Sequence, residues 1–184
     1  SASPSTPAPT PTLVDGHALH GSGGTLVPAA PVEVWELLLD DTKLAAVIPG
    51  CHALTMTGEN AYRADVTLGV GPVKGRFVAT VALQDLDAPR SLRLVGGAAG
   101  PLGTSRGEGW LTLTETEGGT QIDYTYTVQI SGKVAAVGGR MMDGAARALI
   151  NQFFKRLVSQ VDGREVEPAQ GLLARLLSWL GIGP

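Results

Sequence analysis

The residues able to do chemistry in this chain are few, and their spacing argues against most of the chemistry they could do. His17 and His20 are three apart on a segment that reads as a strand, so their rings point to opposite faces, and His52 stands alone. No plausible metal set follows from them. Cys51, the single cysteine, follows a turn and has no basic neighbour except His52, the setting of a structural thiol rather than a nucleophile. Glu108 and Asp123 fall on outward strand positions, where carboxylates stay solvated and lack the desolvation that tunes an acid/base pair. The run from Gly96-Gly97 to Gly103 does not join a strand to a helix start as phosphate cradles do, and is expected to be a loop hinge at a cavity mouth. What remains is binding chemistry: Tyr62, Tyr124 and Tyr126 on the apolar sides of strands, and Met141 and Met142, whose flexible thioethers can repack around a variable guest. Trp110 points outward on its strand, either a partner contact or a ring covered by a loop or the N-terminal arm. Arg140 begins the polar side of a helix and meets a ligand head group only if it turns toward a cavity rim.

The element that must position these residues is the stretch Lys133 to Val161. Stepping by four from Val137 passes through Met141, Ala145, Leu149, Phe153 and Leu157. Stepping from Val134 passes through Gly138, Met142, Ala146, Ile150, Phe154 and Val158. Two apolar lanes therefore lie side by side, and the lane Gly139, Asp143, Arg147, Asn151, Lys155, Ser159 is polar throughout. The pattern predicts one helix of ~40 Å with a broad wet face and a broader dry one. Small residues and methionines dominate the near half of the dry face, so that half is expected to roof a cavity, while Leu149, Ile150, Phe153 and Phe154 seal a core. The competing expectation is an ordinary core helix whose glycines let it approach the sheet closely.

Before that helix the period is mostly two. Asp15 to Val27 predicts a first strand, interrupted by Gly21, Gly23 and Gly24 in a way that suits a bulge or an edge. Pro31 opens a short helix with Val34, Trp35, Leu38 and Leu39 buried, and Asp40 or Asp41 caps a second, Thr42 to Val47. Six strands follow, with Tyr62, Ala64, Val66, Leu68 and Val70 inward, then Val73, Phe77, Ala79, Val81 and Leu83, then Leu92 and Leu94. Leu111 and Leu113, then Ile122, Tyr124, Tyr126, Val128 and Ile130, complete the dry face. The links Gly58-Asn60, Gly71-Pro72 and Glu117-Gly119 are short and turn-rich, so successive strands should be antiparallel neighbours. The expected class is α+β: a seven-stranded antiparallel sheet wrapped around a long C-terminal helix, with two short helices after the first strand.

Composition limits partners. A formal charge of −3 without a basic stripe argues against nucleic acid as a main partner. One cysteine excludes an internal disulfide framework and fits a reducing compartment. No secretory leader is recognised and no run approaches the ~20 apolar residues of a spanning helix, so a cytoplasmic location is the default expectation. Residues 1–14 are rich in Pro, Ser and Thr and should form a disordered arm, 15–161 a ligand-binding domain, 162–170 a linker, and 171–184 an amphipathic tail. In that tail Leu172, Leu173, Leu176, Leu177 and Leu180 share one arc with Trp179 at its edge. At ~18 Å it is too short to cross a bilayer but able to lie in an interface; packing on its own domain or on a partner protein is the alternative.

The order of elements, with specific words, resembles the START-like (SRPBCC, helix-grip) superfamily and, within it, the G-subunit family of carbon monoxide dehydrogenase. The words are PVEVWELL from Pro31, the Ile48-Pro49-Gly50-Cys51 turn, GVGPVKGRF from Gly69 to Phe77, and Gly132-Lys133 leading to the glycine-containing helix and Phe153-Phe154. The resemblance covers roughly Gly16 to Val161. It implies a non-catalytic accessory protein of a molybdenum-containing CO dehydrogenase-type hydroxylase, attached to the inner face of the cytoplasmic membrane, and a cavity for an apolar small molecule. The expected ligand is an isoprenoid quinone or similar lipid, held without a covalent bond, with Tyr62, Val66, Phe77, Tyr124, Tyr126, Met141, Met142, Ala145 and Leu149 as cavity wall. A pure membrane adaptor with a solid core, and an enzyme of the polyketide cyclase type, are the alternatives.

Overall fold

The computed structural model of the protein describes residues 16–161. The arm at 1–14, the linker and the tail lie outside the described residues. The chain runs β1 (Gly16–Val27), α1 (Pro31–Leu39), α2 (Asp41–Val47), β2 (Cys51–Gly58), β3 (Ala61–Val70), β4 (Val73–Asp87), β5 (Ser91–Gly100), β6 (Gly103–Thr116), β7 (Gly119–Ser131), a tight 3-10 turn (Lys133–Val137) and α3 (Gly139–Val161). The strands form one antiparallel sheet in the order β1-β7-β6-β5-β4-β3-β2. Strands β2 to β7 are joined as successive hairpins, as their short turn-rich links require. The exception is β1, which crosses by way of α1 and α2 and pairs with β7, so that the first and second strands form the two edges.

Local chemistry sets the short helices. Pro31 occupies the first turn of α1, where a missing amide hydrogen is harmless, and the Asp40 carboxylate accepts the backbone N–H of Lys43 at 3.1 Å to start α2. Val34, Trp35, Leu37 and Leu38 are buried, whereas Leu39, expected inside, packs at the edge of the core. The core gathers Val27, Val34, Leu38, Leu92, Leu113, Ile122 and Leu157 between α1, the far end of α3 and the sheet. Thr120 lies within it, fully buried, and its hydroxyl donates to the Ala29 carbonyl at 2.6 Å, pinning the entry of α1 to β7.

Three expectations are corrected. The closing helix does not start at Lys133: residues 133–137 wind as a 3-10 turn, and Gly138 at φ +95° interrupts the chain before α3 begins. An apolar lane passes through a tight turn and an α-helix alike, so periodicity cannot see a break that only a positive φ creates. The helix proper has 23 residues and is about 35 Å long. Second, of the bulge or edge expected from the glycines of β1 only the edge is found: β1 ends the sheet and pairs with β7 without a shift from Gly16↔Ser131 to Val27↔Thr120. Third, Gly96 and Gly97 are not in a loop but inside β5, paired on both sides. A Cβ at Gly96 would strike the Thr80 carbonyl on β4, so glycine there lets the two strands approach closely.

Candidate functional site

The curled sheet and α3 do not meet completely. Only Met142, Phe154 and Leu157 of α3 are buried, while Ala145, Ala146, Leu149, Ile150 and Phe153 remain partly accessible, and the space they border divides into adjoining lobes. Under the first turns of α3, Met142, Ala145 and Leu149 face Leu68, Val70, Phe77 and Ile130 across a cavity of about 140 Å³. Under the short helices, Leu38, Leu44 and Ile48 cover Tyr62, Val66 and Leu94, with Phe153 and Phe154 closing the side, around about 290 Å³. Between them the sheet floor of Gly96, Gly107 and Gly109, flanked by Val81, Leu94 and Val128, borders about 330 Å³. The floor lobe shares Val81 and Leu94 with the second lobe, and Ala98 and Ser105 with the first. A polar cleft of about 340 Å³ between β1 and α3 shares the Tyr126 ring with it as a wall.

The wall residues expected from alternation distribute over these lobes. Phe77, Met142, Ala145 and Leu149 line the first, Tyr62 and Val66 the second, and Tyr124 and Tyr126 the polar cleft. Met141 does not join them. It is 43% exposed, on the first turn of α3 beyond the lining, and lies over Gly71 in the β3–β4 turn. Phe154 lies in the core and Phe153 packs against it, as expected of the far half of the helix, and both rings also line the larger enclosed apolar lobe. The reason lies in the end of α1 and α2, where Leu38, Leu44 and Ile48 leave a gap above Val66 and Leu94 that no periodicity on α3 encodes. Leu19, Val81, Leu94 and Ala98 complete the wall; their signal was inward alternation, but nothing in it separates a chamber from a core.

The polar groups have identifiable settings. Tyr62 is buried and its hydroxyl donates to the Leu39 carbonyl at 2.9 Å, so the ring lines the second lobe while its oxygen ties β3 to the end of α1. Burial, then the nearby Asp41 and Asp40 carboxylates, push its phenol above the ordinary range. Tyr124 is pushed up likewise, first by burial and then by Tyr126. Its ring stacks on Phe154 at 5.2 Å and near Tyr126 at 6.4 Å. Cys51 donates to the Ala53 carbonyl, and burial pushes its thiol above the ordinary value.

On the opposite face of the sheet Trp110 is 47% exposed, with the Arg93 guanidinium 5.3 Å from its ring. Arg93 in turn holds Glu108 at 2.7 Å and Asp85 at 3.6 Å, so Glu108 is an outward ion-pair member. Asp123 is exposed on the same outer side. Arg140 is exposed and borders none of the lobes described. His17 packs against Gly139 at the start of α3, and His20 borders the polar cleft. Among the described residues, no group of three His, Cys, Asp or Glu side chains is placed to hold a metal ion. Among them too, no helix is long and apolar enough to cross a membrane.

With this geometry in view, comparison with known proteins is informative. The family model for the G subunit of carbon monoxide dehydrogenase (CoxG) matches residues 23–162. A conserved protein from Geobacillus kaustophilus has a crystal structure that superposes with a TM-score of 0.75 at 36% identity, over 79% of this chain and 96% of that one. A START superfamily protein from Mycobacterium smegmatis superposes with a TM-score of 0.60 at 13% identity, over 78% of this chain and 97% of that one. The Zhui aromatase/cyclase from Streptomyces sp. R1128 gives 0.57 at 15% identity, over 79% and 94% of the two chains. At such identities the last two establish a common fold and no more. A search of curated proteins returns no match.

Proposed function

The chain belongs to the CoxG family, named for the G subunit of carbon monoxide dehydrogenase, and from that premise we propose that it is a non-catalytic accessory protein of a CO dehydrogenase-type molybdenum hydroxylase, carrying a hydrophobic guest and bringing the enzyme to the membrane. The observation that supports the carrier role is the apolar lobe of about 290 Å³ enclosed by the sheet, the short helices and Phe153 and Phe154 of α3, which approaches the size of small-molecule sites. An isoprenoid quinone is the guest of choice, because it dissolves in the membrane and accepts the electrons an oxidising partner releases. Membrane contact is assigned to Leu172, Leu173, Leu176, Leu177, Trp179 and Leu180, whose arc can lie at the inner face of the cytoplasmic membrane.

Organic extraction of the mildly purified protein followed by mass spectrometry tests the carrier. A quinone or lipid in near-stoichiometric amount is expected, and protein that never retains one leaves only the adaptor. Removing residues 171–184 is expected to abolish flotation with liposomes while thermal unfolding stays nearly unchanged; flotation that survives would move the membrane contact elsewhere. The two apolar lobes offer a cyclase-type enzyme little, since Thr104 and Ser105 are the polar side chains of the first and the Tyr62 hydroxyl in the second is already engaged; such an enzyme would have to work from the polar cleft.

A further inference from the structure

The lane of α3 that begins Gly139, Asp143, Arg147, Asn151 is polar along its length, which marks a solvated face in sequence. The structure leaves Arg147 and Asn151 exposed and sets this face beside β1. Gly139 sits against the His17 ring, and Asp143, Arg147 and Asn151 border the cleft beside His20, Gly21 and Ser22. The opposite wall is made by two phenols. Gly21 pairs with Tyr126 and Gly23 with Tyr124, and a Cβ on either glycine would collide with the hydroxyl end of the tyrosine opposite. Glycine at both positions therefore lets the rings lie flat across the edge strand, with their oxygens carried to the cleft. Among the described residues, none of the side chains of Tyr124, Tyr126, Asp143, Arg147 and Asn151 has a hydrogen-bond or ion-pair partner.

Five unpartnered polar side chains around one cleft, with the Tyr126 ring alone between it and an apolar floor, meet the requirements of an amphiphile's head-group site. We propose that this cleft binds the uncharged, oxygen-bearing head of the guest, with its apolar chain passing Tyr126 into the chamber. The proposal rests on the carrier function above. Donors predominate: two phenols, a guanidinium and an amide can give hydrogen bonds to carbonyl or ether oxygens, and Asp143 can accept from a hydroxyl. The ionised side chains are one carboxylate and one guanidinium, with His20 beside them, so an anionic head would gain at Arg147 and lose at Asp143. The near-parallel rings of Tyr126, Tyr124 and Phe154 form a shelf that favours a flat head over a branched one.

The full chain, freed of endogenous lipid, is loaded with N-phenyl-1-naphthylamine, whose emission reports an apolar cavity. It is then challenged with a decyl-substituted 1,4-benzoquinone, decylbenzene or decanoate. The quinone should displace the dye roughly tenfold more strongly than decylbenzene, since each hydrogen bond is worth a few-fold. In the double variant Tyr124→Phe, Tyr126→Phe, that advantage should fall to about twofold or less, with decylbenzene unchanged. Asn151→Ala, on the exposed side of α3, should reduce it independently of any effect on the aromatic shelf. Equal displacement by quinone and decylbenzene, an advantage that survives both variants, or stronger displacement by decanoate overturns the head-group site and leaves the chamber standing. Failure of the dye and of every competitor to bind removes the chamber and the head-group site together.

Discussion

Ala145→Leu distinguishes a chamber from a core at the point where the two differ most. Ala145 is partly accessible on α3 and faces the lobe of about 140 Å³. Leucine adds three carbons, and at about 0.8 kcal/mol per CH₂ group buried they would stabilise the empty protein by up to about 2 kcal/mol. The helix itself is nearly indifferent, because leucine ranks close to alanine in propensity. At about 2–4 °C per kcal/mol for a chain of this size, the midpoint of thermal unfolding should rise by several degrees. In a close-packed interior the same change would cost about 1–3 kcal/mol through strain, and the midpoint would fall. The sign therefore decides. Urea titration with an unchanged slope fixes the stability difference, and dye loading measures the lost volume, which should show as weaker uptake in the variant. A midpoint lowered by several degrees would mean that α3 and the sheet already interlock near Ala145, and the carrier function would lose its main support.

Two further perturbations test how the chamber is framed. Thr120→Val removes the 2.6 Å bond to the Ala29 carbonyl and leaves that oxygen buried without its donor, so urea titration should show a loss of about 1–3 kcal/mol; less than about 0.5 kcal/mol would mean the carbonyl finds another partner. Tyr62 has a phenol pushed above its ordinary value near 10 and donates to Leu39. The stability it contributes is complete below that value, where folded and unfolded chains are both protonated, and is lost as pH climbs toward the raised folded value, because the unfolded chain releases its proton first. Chemical denaturation between neutral pH and about pH 11 should thus show an alkaline fall in stability that is shallower in Tyr62→Phe. An identical fall in the variant would assign it to other groups, Tyr124 among them.

Much of this architecture was legible before any coordinates, because its strands each keep one face dry. When Tyr62, Ala64 and Val66 alternate with Arg63 and Asp65, a slip of one residue would bury charge, so pattern and register enforce each other. The cap at Asp40 and the proline at Pro31 are local signals, and local chemistry decided them. The misplacements share a different cause. The break at Gly138 depends on a backbone angle that glycine permits but does not demand, and Gly96 reads as loop until a neighbouring strand approaches it too closely for a side chain.

Whether an inward residue touches a neighbour or a void is a property of distances between elements, and one-dimensional spacing contains no such distance. Phe153 and Phe154 are apolar and inward in either case; the gap beneath Leu38, Leu44 and Ile48 makes them chamber wall as well as core. Asp143, Arg147 and Asn151 are polar in either case; the position of β1 beside them, with glycines that admit two tyrosine rings, turns a wet face into the lip of a cleft. The order of amino acids determined the elements, the dry faces and the family, since those follow from periods of two and about 3.6 and from short words. The tertiary structure alone decided where packing stops, because empty space is created by how far apart the elements stand.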